Sequence, residues 1–266
     1  MAVSSIFQSI SIGRLGLMSC ILLVTSLVVA QERSIGQLGQ QNLYYDREWD
    51  FEMTLHSNGF SAGLNWGENK TYYKTAFWHV DLGFIRHNRE YRQSNNPPLS
   101  GLGESSKAFV YGKQNNLYIL RAGRGLRYLF GEKSREKGVR VSFQGELGPS
   151  IGFLRPYYLR VFSNDVQGGL TDIKYSESTE TEFLDRNQIF GGTGLANGWN
   201  ELSLRPGIHG RIGTQFEWSQ QDNGISMADF GILFDYFFTE VPIMIIDENQ
   251  SLFINVYLAL RLGKKS

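Results

Sequence analysis

The segment from Trp199 to Ser219, WNELSLRPGIHGRIGTQFEWS, is two sequences interleaved. One set runs Leu202, Leu204, Pro206, Ile208, Gly210, Ile212, Thr214, Phe216 and Trp218. The other runs Glu201, Ser203, Arg205, Gly207, His209, Arg211, Gly213, Gln215, Glu217 and Ser219. Period two belongs to a β-strand, whose successive side chains point to opposite faces. The run far exceeds an ordinary strand of roughly five or six residues. A chain built this way must place an apolar wall and a charged wall back to back, so the two faces of its sheet meet different surroundings.

The pattern recurs. In VRVSFQGELGPSIGF, Val139, Val141, Phe143, Leu147, Ile151 and Phe153 oppose Arg140, Ser142, Gln144, Glu146, Ser150 and Gly152. SLFINVYLALRLG sets Leu252, Ile254, Val256, Leu258, Leu260 and Leu262 against Asn255, Tyr257, Arg261 and Gly263. REWDFEMTLHS sets Trp49, Phe51, Met53 and Leu55 against Asp50, Glu52, Thr54 and His56, and Ser57-Asn58-Gly59 then turns the chain into GFSAGLNWG as a hairpin. Segments 75–87, 117–130 and 225–246 complete about eight strands. Pro149 and Pro206 fall inside strands, where bulges would accommodate them. A turn at Gly148-Pro149 or Arg155-Pro156 would instead give ten strands.

Residues 1–30 have the layout of a cleaved signal peptide: Arg14, an apolar run from Leu15 to Val29, then Ala30. Removing them removes the single cysteine, Cys20, so the exported chain has no disulfide. The whole chain carries 26 basic and 26 acidic residues, and losing Arg14 leaves the mature chain with a slight acidic excess. Nothing in that balance points to nucleic acid. After the signal no apolar run is long enough for a transmembrane helix.

Connection lengths and tryptophans say where the apolar wall faces. If neighbouring strands are antiparallel, the long connections 88–116 and 164–198 lie at one end of the sheet, and the three connections at the other end are short. Outer-membrane barrels have this asymmetry. Trp49, Trp66, Trp78 and Trp218 all carry apolar parity near the end holding the chain termini, as a membrane-interface belt requires, and Trp199 lies at the opposite rim. The reading is an all-β, antiparallel transmembrane β-barrel over residues 47–266, after a short periplasmic segment 31–46, with lipid outside and the charged face inside. A soluble exported barrel that binds a small ligand, with its apolar face inward, is the alternative.

The segments QNNLYILRAGRG, GELGPSIGFLRPYYL and VPIMIIDENQSLFINVYLALRLGKKS resemble small outer-membrane β-barrel proteins of the Bacteroidota type, a family without an assigned function. The resemblance implies a barrel in the outer membrane. Such barrels usually close on a strand ending in an aromatic residue. Here the strand ends Leu260-Arg261-Leu262-Gly263 and trails into Lys264-Lys265-Ser266.

By parity the interior holds Glu52, Asp81, Glu146, Glu217, Asp229 and Asp235 with Arg121, Arg140, Arg205, Arg211 and Arg261, and also His209. Eight strands enclose about the volume of their own side chains, so an ion-pair network is expected there, rather than an open channel. All four histidines, His56, His79, His87 and His209, share the inward parity, yet no spacing matches a metal motif and no nucleophile motif appears. No metal, no cofactor and no catalysis are expected. Loop 164–198 carries Asp165, Asp172, Glu177, Glu180, Glu182 and Asp185 against Lys174 and Arg186, and reads as a solvated acidic loop. Loop 88–116, with Arg89, Arg92, Lys107 and Lys113, could attract it. The expected role is non-enzymatic: a structural or interaction protein that touches outer-membrane lipid and, through these loops, other envelope proteins. The alternatives are an accessory subunit of an export or assembly machine and a small-solute channel.

Overall fold

A computed structural model of the chain describes residues 46–94, 106–131, 139–162, 169–194, 197–218, 224–245 and 249–266. The proposed signal peptide and residues 31–45 lie outside the described residues. In chain order the strands are β1 (Arg47–His56), β2 (Gly59–Thr71), β3 (Lys74–Ile85), β4 (Arg92–Gln93), β5 (Phe109–Val110), β6 (Asn115–Gly131), β7 (Arg140–Pro156), β8 (Tyr158–Phe162), β9 (Leu170–Lys174), β10 (Ile189–Gly192), β11 (Ser203–Glu217), β12 (Gly224–Val241) and β13 (Gln250–Lys265). One short helix, α1 (Glu180–Leu184), precedes β10.

Eight of these strands close into a barrel in the order β1-β13-β12-β11-β7-β6-β3-β2, every pair antiparallel. The count is eight, not ten. β7 runs through Pro149 to Pro156 with no turn between. Nor does Pro149 create a bulge. The β6–β7 ladder passes from Arg121↔Ser150 to Arg124↔Leu147 in unchanged register, leaving the rungs around the proline unmade. Pro206 lies one residue before the β11–β12 ladder begins at Gly207, so its missing N–H interrupts nothing there. β13 does not trail off at Gly263: Lys264 and Lys265 pair with Trp49 and Glu48, and Ser266 and Arg47 exchange backbone hydrogen bonds of 2.8 and 2.9 Å across the seam.

The register fixes the tilt. From Arg47 the paired residues run through Glu68, Ala76, Leu126, Gly145, Ile212 and Ile232 to Val256. The Val256 carbonyl accepts from the Ser57 N–H at 3.0 Å, so one circuit climbs from residue 47 to residue 57 of the first hairpin. That climb is about 33 Å along the strand against a circumference component of about 38 Å, a tilt near 40°.

The apolar parity points outward. Trp49, Trp66 and Trp78 face one another on consecutive strands and are 49%, 48% and 58% exposed; Trp218 is also exposed. Toward the other end, Phe60, Phe84, Tyr118 and Trp199 form a second row with ring centroids 6.0, 5.2 and 5.5 Å apart. On β13 the outward leucines, isoleucine and valine run from Leu252 to Leu262, about 33 Å along the strand and about 25 Å along the barrel axis. No helix among the described residues is long and apolar enough to cross a membrane.

The end away from the barrel's own termini, Arg47 and Lys265, is closed. Leu117, Ile119, Leu154, Phe237 and Phe253 point inward there and pack with Val110, Ile243 and Met244 from the loops. The loop after β12 is laid across the mouth, with Gln114 N–H donating to the Ile243 carbonyl and Ile245 N–H to that of Gly112, both at 2.8 Å. Above this plug the long connections fold together through an apolar core. Phe109 from the first packs with Leu159, Val161, Phe183 and Ile189 from the second. The acidic connection is therefore not simply a solvated loop. It begins at Tyr157 and contributes the β10-β8-β9 sheet and α1 to a cap. His87 lies in the loop after β3, not in the lumen, and its N–H donates to Glu90. Lys113, between the Phe84 and Tyr157 rings, reaches Glu90 at 2.5 Å; burial pulls the lysine below its usual pKa and the glutamate opposes that pull.

The plug supplies a stability test. Leu154→Ala should destabilise the folded barrel by about 2–5 kcal/mol, read as a lower urea midpoint for unfolding from detergent micelles. An unchanged midpoint would mean that the plug carries no packing energy.

Candidate functional site

Below the plug lies a polar compartment. Alternation alone places its residues: β1 sends Asp50 and Glu52 inward, β3 His79 and Asp81, β6 Arg121, β7 Glu146, β11 His209 and Arg211, β12 Asp229 and Asp235, β13 Arg261, all buried. Tilt then decides who meets whom.

Two clusters result. Near the plug, Arg121 donates from Nε and Nη2 to both Asp235 oxygens at 2.7 and 2.9 Å and from Nη1 to Asp81 at 3.1 Å. Nearer the termini, Arg211 bridges Glu52, at 2.5 Å, and Glu146 Oε2, at 3.2 Å, while lying 5.1 Å from the Tyr257 ring centroid. Arg261 Nε sits 2.8 Å from Glu52 and 2.7 Å from Asp229. Asn65 donates to Asp50 at 2.7 Å, and Gln144 to Asp229 at 2.8 Å. His79 Nε2 is 3.8 Å from Asp81 and joins the clusters. At the floor Phe77 is buried between the guanidiniums of Arg127 and Arg261, 5.4 and 5.7 Å from its ring centroid. Farther toward the termini, Glu48 pairs with Arg127, and Glu217 with Arg140 and Lys265.

Of the residues assigned to the interior from sequence, Arg205 stands apart. It is half-buried opposite Gly152, its Nε has no hydrogen-bond partner, and no ion pair ties it to either cluster among the described residues. Asp50, Asn65, Thr54, Gln144, Tyr257 and the Glu48–Arg127 pair were not in that assignment. Their parity was legible, and counting every inward polar residue would have found them.

Two buried hydroxyls donate to carboxylates in the compartment, Thr54 to Glu52 at 2.6 Å and Ser61 to Asp81 at 3.3 Å. Among the described residues, the groups with metal-ligand chemistry that converge are His79, Glu146 and His209, whose ligand atoms lie within 4.8 Å of one another.

No protein-family model and no curated protein sequence matches the chain. Among solved structures it is similar to Ail, the attachment invasion locus protein of Yersinia pestis, at 9% identity over 83% of this chain and 95% of that one, with a TM-score of 0.35. The N-terminal β-barrel domain of Pseudomonas aeruginosa OprF is similar at 10% identity over 83% and 96%, with a TM-score of 0.34. Neisserial surface protein A follows at 11% over 82% and 94%, with a TM-score of 0.33.

Pairing of this kind makes the lumen sensitive to single deletions. Arg121→Leu leaves Asp81 and Asp235 buried without their partner and should cost about 3–5 kcal/mol, whereas replacing all three by apolar residues should cost much less. Urea midpoints of the single and triple variants check the contrast.

Proposed function

We propose that the chain is an outer-membrane β-barrel with a side-chain-filled lumen, whose role is structural or interactive rather than catalytic. The outward apolar belt carries the reading. A belt of about 25 Å, edged by aromatic side chains at both ends, matches the outward band of a transmembrane barrel, and a closed ring leaves no unpaired strand edge in lipid. Exposed Leu, Ile, Val and Phe on every barrel strand would be a severe aggregation liability in water.

The plug, the paired charges and the buried floor argue against a small-solute channel, since the space a solute would need is occupied by Phe237, Phe253, Arg121 and Arg211. What remains available for recognition is the cap. It offers exposed Tyr91, the Arg160–Asp172 pair at 2.7 Å and the Lys174–Glu201 pair at 2.7 Å, a mixed polar surface suited to an envelope protein. A role as accessory subunit of an export or assembly machine would use the same face.

Recovery in the outer-membrane fraction, with gel mobility that changes only on boiling, is the expected behaviour. In lipid vesicles Leu258→Arg, at mid-belt, should destabilise the barrel by about 2–4 kcal/mol. A protein that stays soluble without detergent, or a tolerated arginine at that position, would defeat the membrane reading.

A further inference from the structure

We infer that His79, Glu146 and His209 form a binding site for a divalent transition metal of the zinc type inside the barrel. The three come from β3, β7 and β11 and are buried. Glu146 Oε1 lies 2.6 Å from His79 Nδ1 and 3.1 Å from His209 Nε2. Two imidazoles and a carboxylate are a zinc-type donor set, with bonds of about 2.0–2.2 Å. The longer contact nearly has the spacing of two atoms on one such metal, about 3.3 Å, and the shorter must open by about 0.7 Å.

Three independent observations point to a cation there. The first is a tautomer conflict. His209 Nδ1 faces the Pro149 carbonyl at 3.2 Å, and a carbonyl can only accept, so Nδ1 bears the proton. In the neutral ring Nε2 then turns a lone pair toward a carboxylate oxygen, two acceptors face to face. A metal between them resolves this, and an Nδ1–H bonded to a backbone carbonyl is the usual outer support of an imidazole that ligates through Nε2.

The second is space. A Cβ on Gly123 would fall 2.9 Å from Glu146 Oε1 and 3.0 Å from His209 Nε2, so the bare glycine leaves room beside the two ligand atoms. The third is charge. Glu48, Asp50, Glu52, Asp81, Glu146, Asp229 and Asp235 are buried in the barrel against Arg121, Arg127, Arg211 and Arg261. Seven carboxylates thus share four guanidiniums, Arg121 between Asp81 and Asp235 and Arg211 between Glu52 and Glu146, so the buried set carries a formal excess of negative charge, which is costly to leave unanswered.

Arg211 is the nearest opposing cation, but it holds Glu146 through the other oxygen, Oε2, at 3.2 Å. Its Nη2 also lies 3.5 Å from His79 Nδ1 and 3.4 Å from Nε2, so it must swing aside when the metal takes Nδ1. With the metal on Nδ1, the Nε2–H of His79 lies 3.8 Å from Asp81 Oδ2 and 4.0 Å from Glu52 Oε1, two carboxylates whose charge favours that proton. Plug and floor close the compartment, so the metal enters as the barrel folds.

The test is refolding of the protein from urea into detergent with Co(II), the visible probe for zinc, followed by a chelator wash. Folded wild-type protein should retain stoichiometric Co(II) with the absorption of a four- or five-coordinate ion. His209→Gln and Gly123→Ala, scored only in the fraction whose unboiled gel mobility shows a closed barrel, should retain about tenfold less or lower still. Should neither variant fold, wild-type protein refolded with and without Zn(II) decides, because the metal should raise the temperature at which the folded band is lost. Folded wild-type protein that keeps no metal and gains no thermal resistance overturns the site. Folded variants that keep as much metal as wild type overturn it equally.

Discussion

Closure of the sheet is the constraint on which everything else rests. Ten residues of climb per circuit set the tilt, and the tilt decides which inward side chains share a level. Glu52 and Arg211 are far apart in sequence, yet they meet across the lumen because β1 and β11 lean past each other. The same geometry brings Asp81 and Asp235 to the two sides of one guanidinium. An open sheet of these strands would keep the alternation and lose the pairing. Its charged wall would then be an ordinary wet surface, on which such pairs contribute little.

Within that ring the polar compartment lies between apolar layers, which explains its dense pairing. The plug removes solvent from one end, and Phe77 with Ile225 and Met227 removes it from the other. Charges cut off from water must be answered by neighbours. The glycines serve the same packing: Gly125 admits the Phe77 ring to within 2.2 Å of where its Cβ would stand, so the floor rests on the absence of a methyl group.

The barrel was legible in the sequence because each strand repeats one two-residue rule over many residues, and a long regular signal tolerates local exceptions such as Pro149. The tryptophans added the level, since Trp49, Trp66 and Trp78 share a parity and a position along their strands. The cap was not legible. Its core residues Phe109, Leu159, Val161, Phe183 and Ile189 lie on elements too short to show a period, and adjacent apolar residues such as Val110, Phe162, Leu184 and Phe190 hide which of them turns inward. Within the lumen, parity told which side chains point inward and nothing about partners. His209 was assigned to the interior on that basis; that its two nitrogens face a carbonyl and a carboxylate depends on the register of β7 with β11. His87 shows the limit: the right parity, one turn too late to be on the strand.

A wall filled from within cannot change its girth. The lumen side chains fix the cross-section much as a core fixes a globular domain, because packed interiors compress little. In a bilayer the accommodation therefore falls on the lipid: acyl chains next to the barrel must thin or thicken to meet a belt of about 25 Å, at a cost of fractions of a kcal/mol per ångström of mismatch. In the proposed membrane setting, a protein of this build would leave an imprint on the lipid around it, and neighbours with belts of similar height would find that lipid already adjusted.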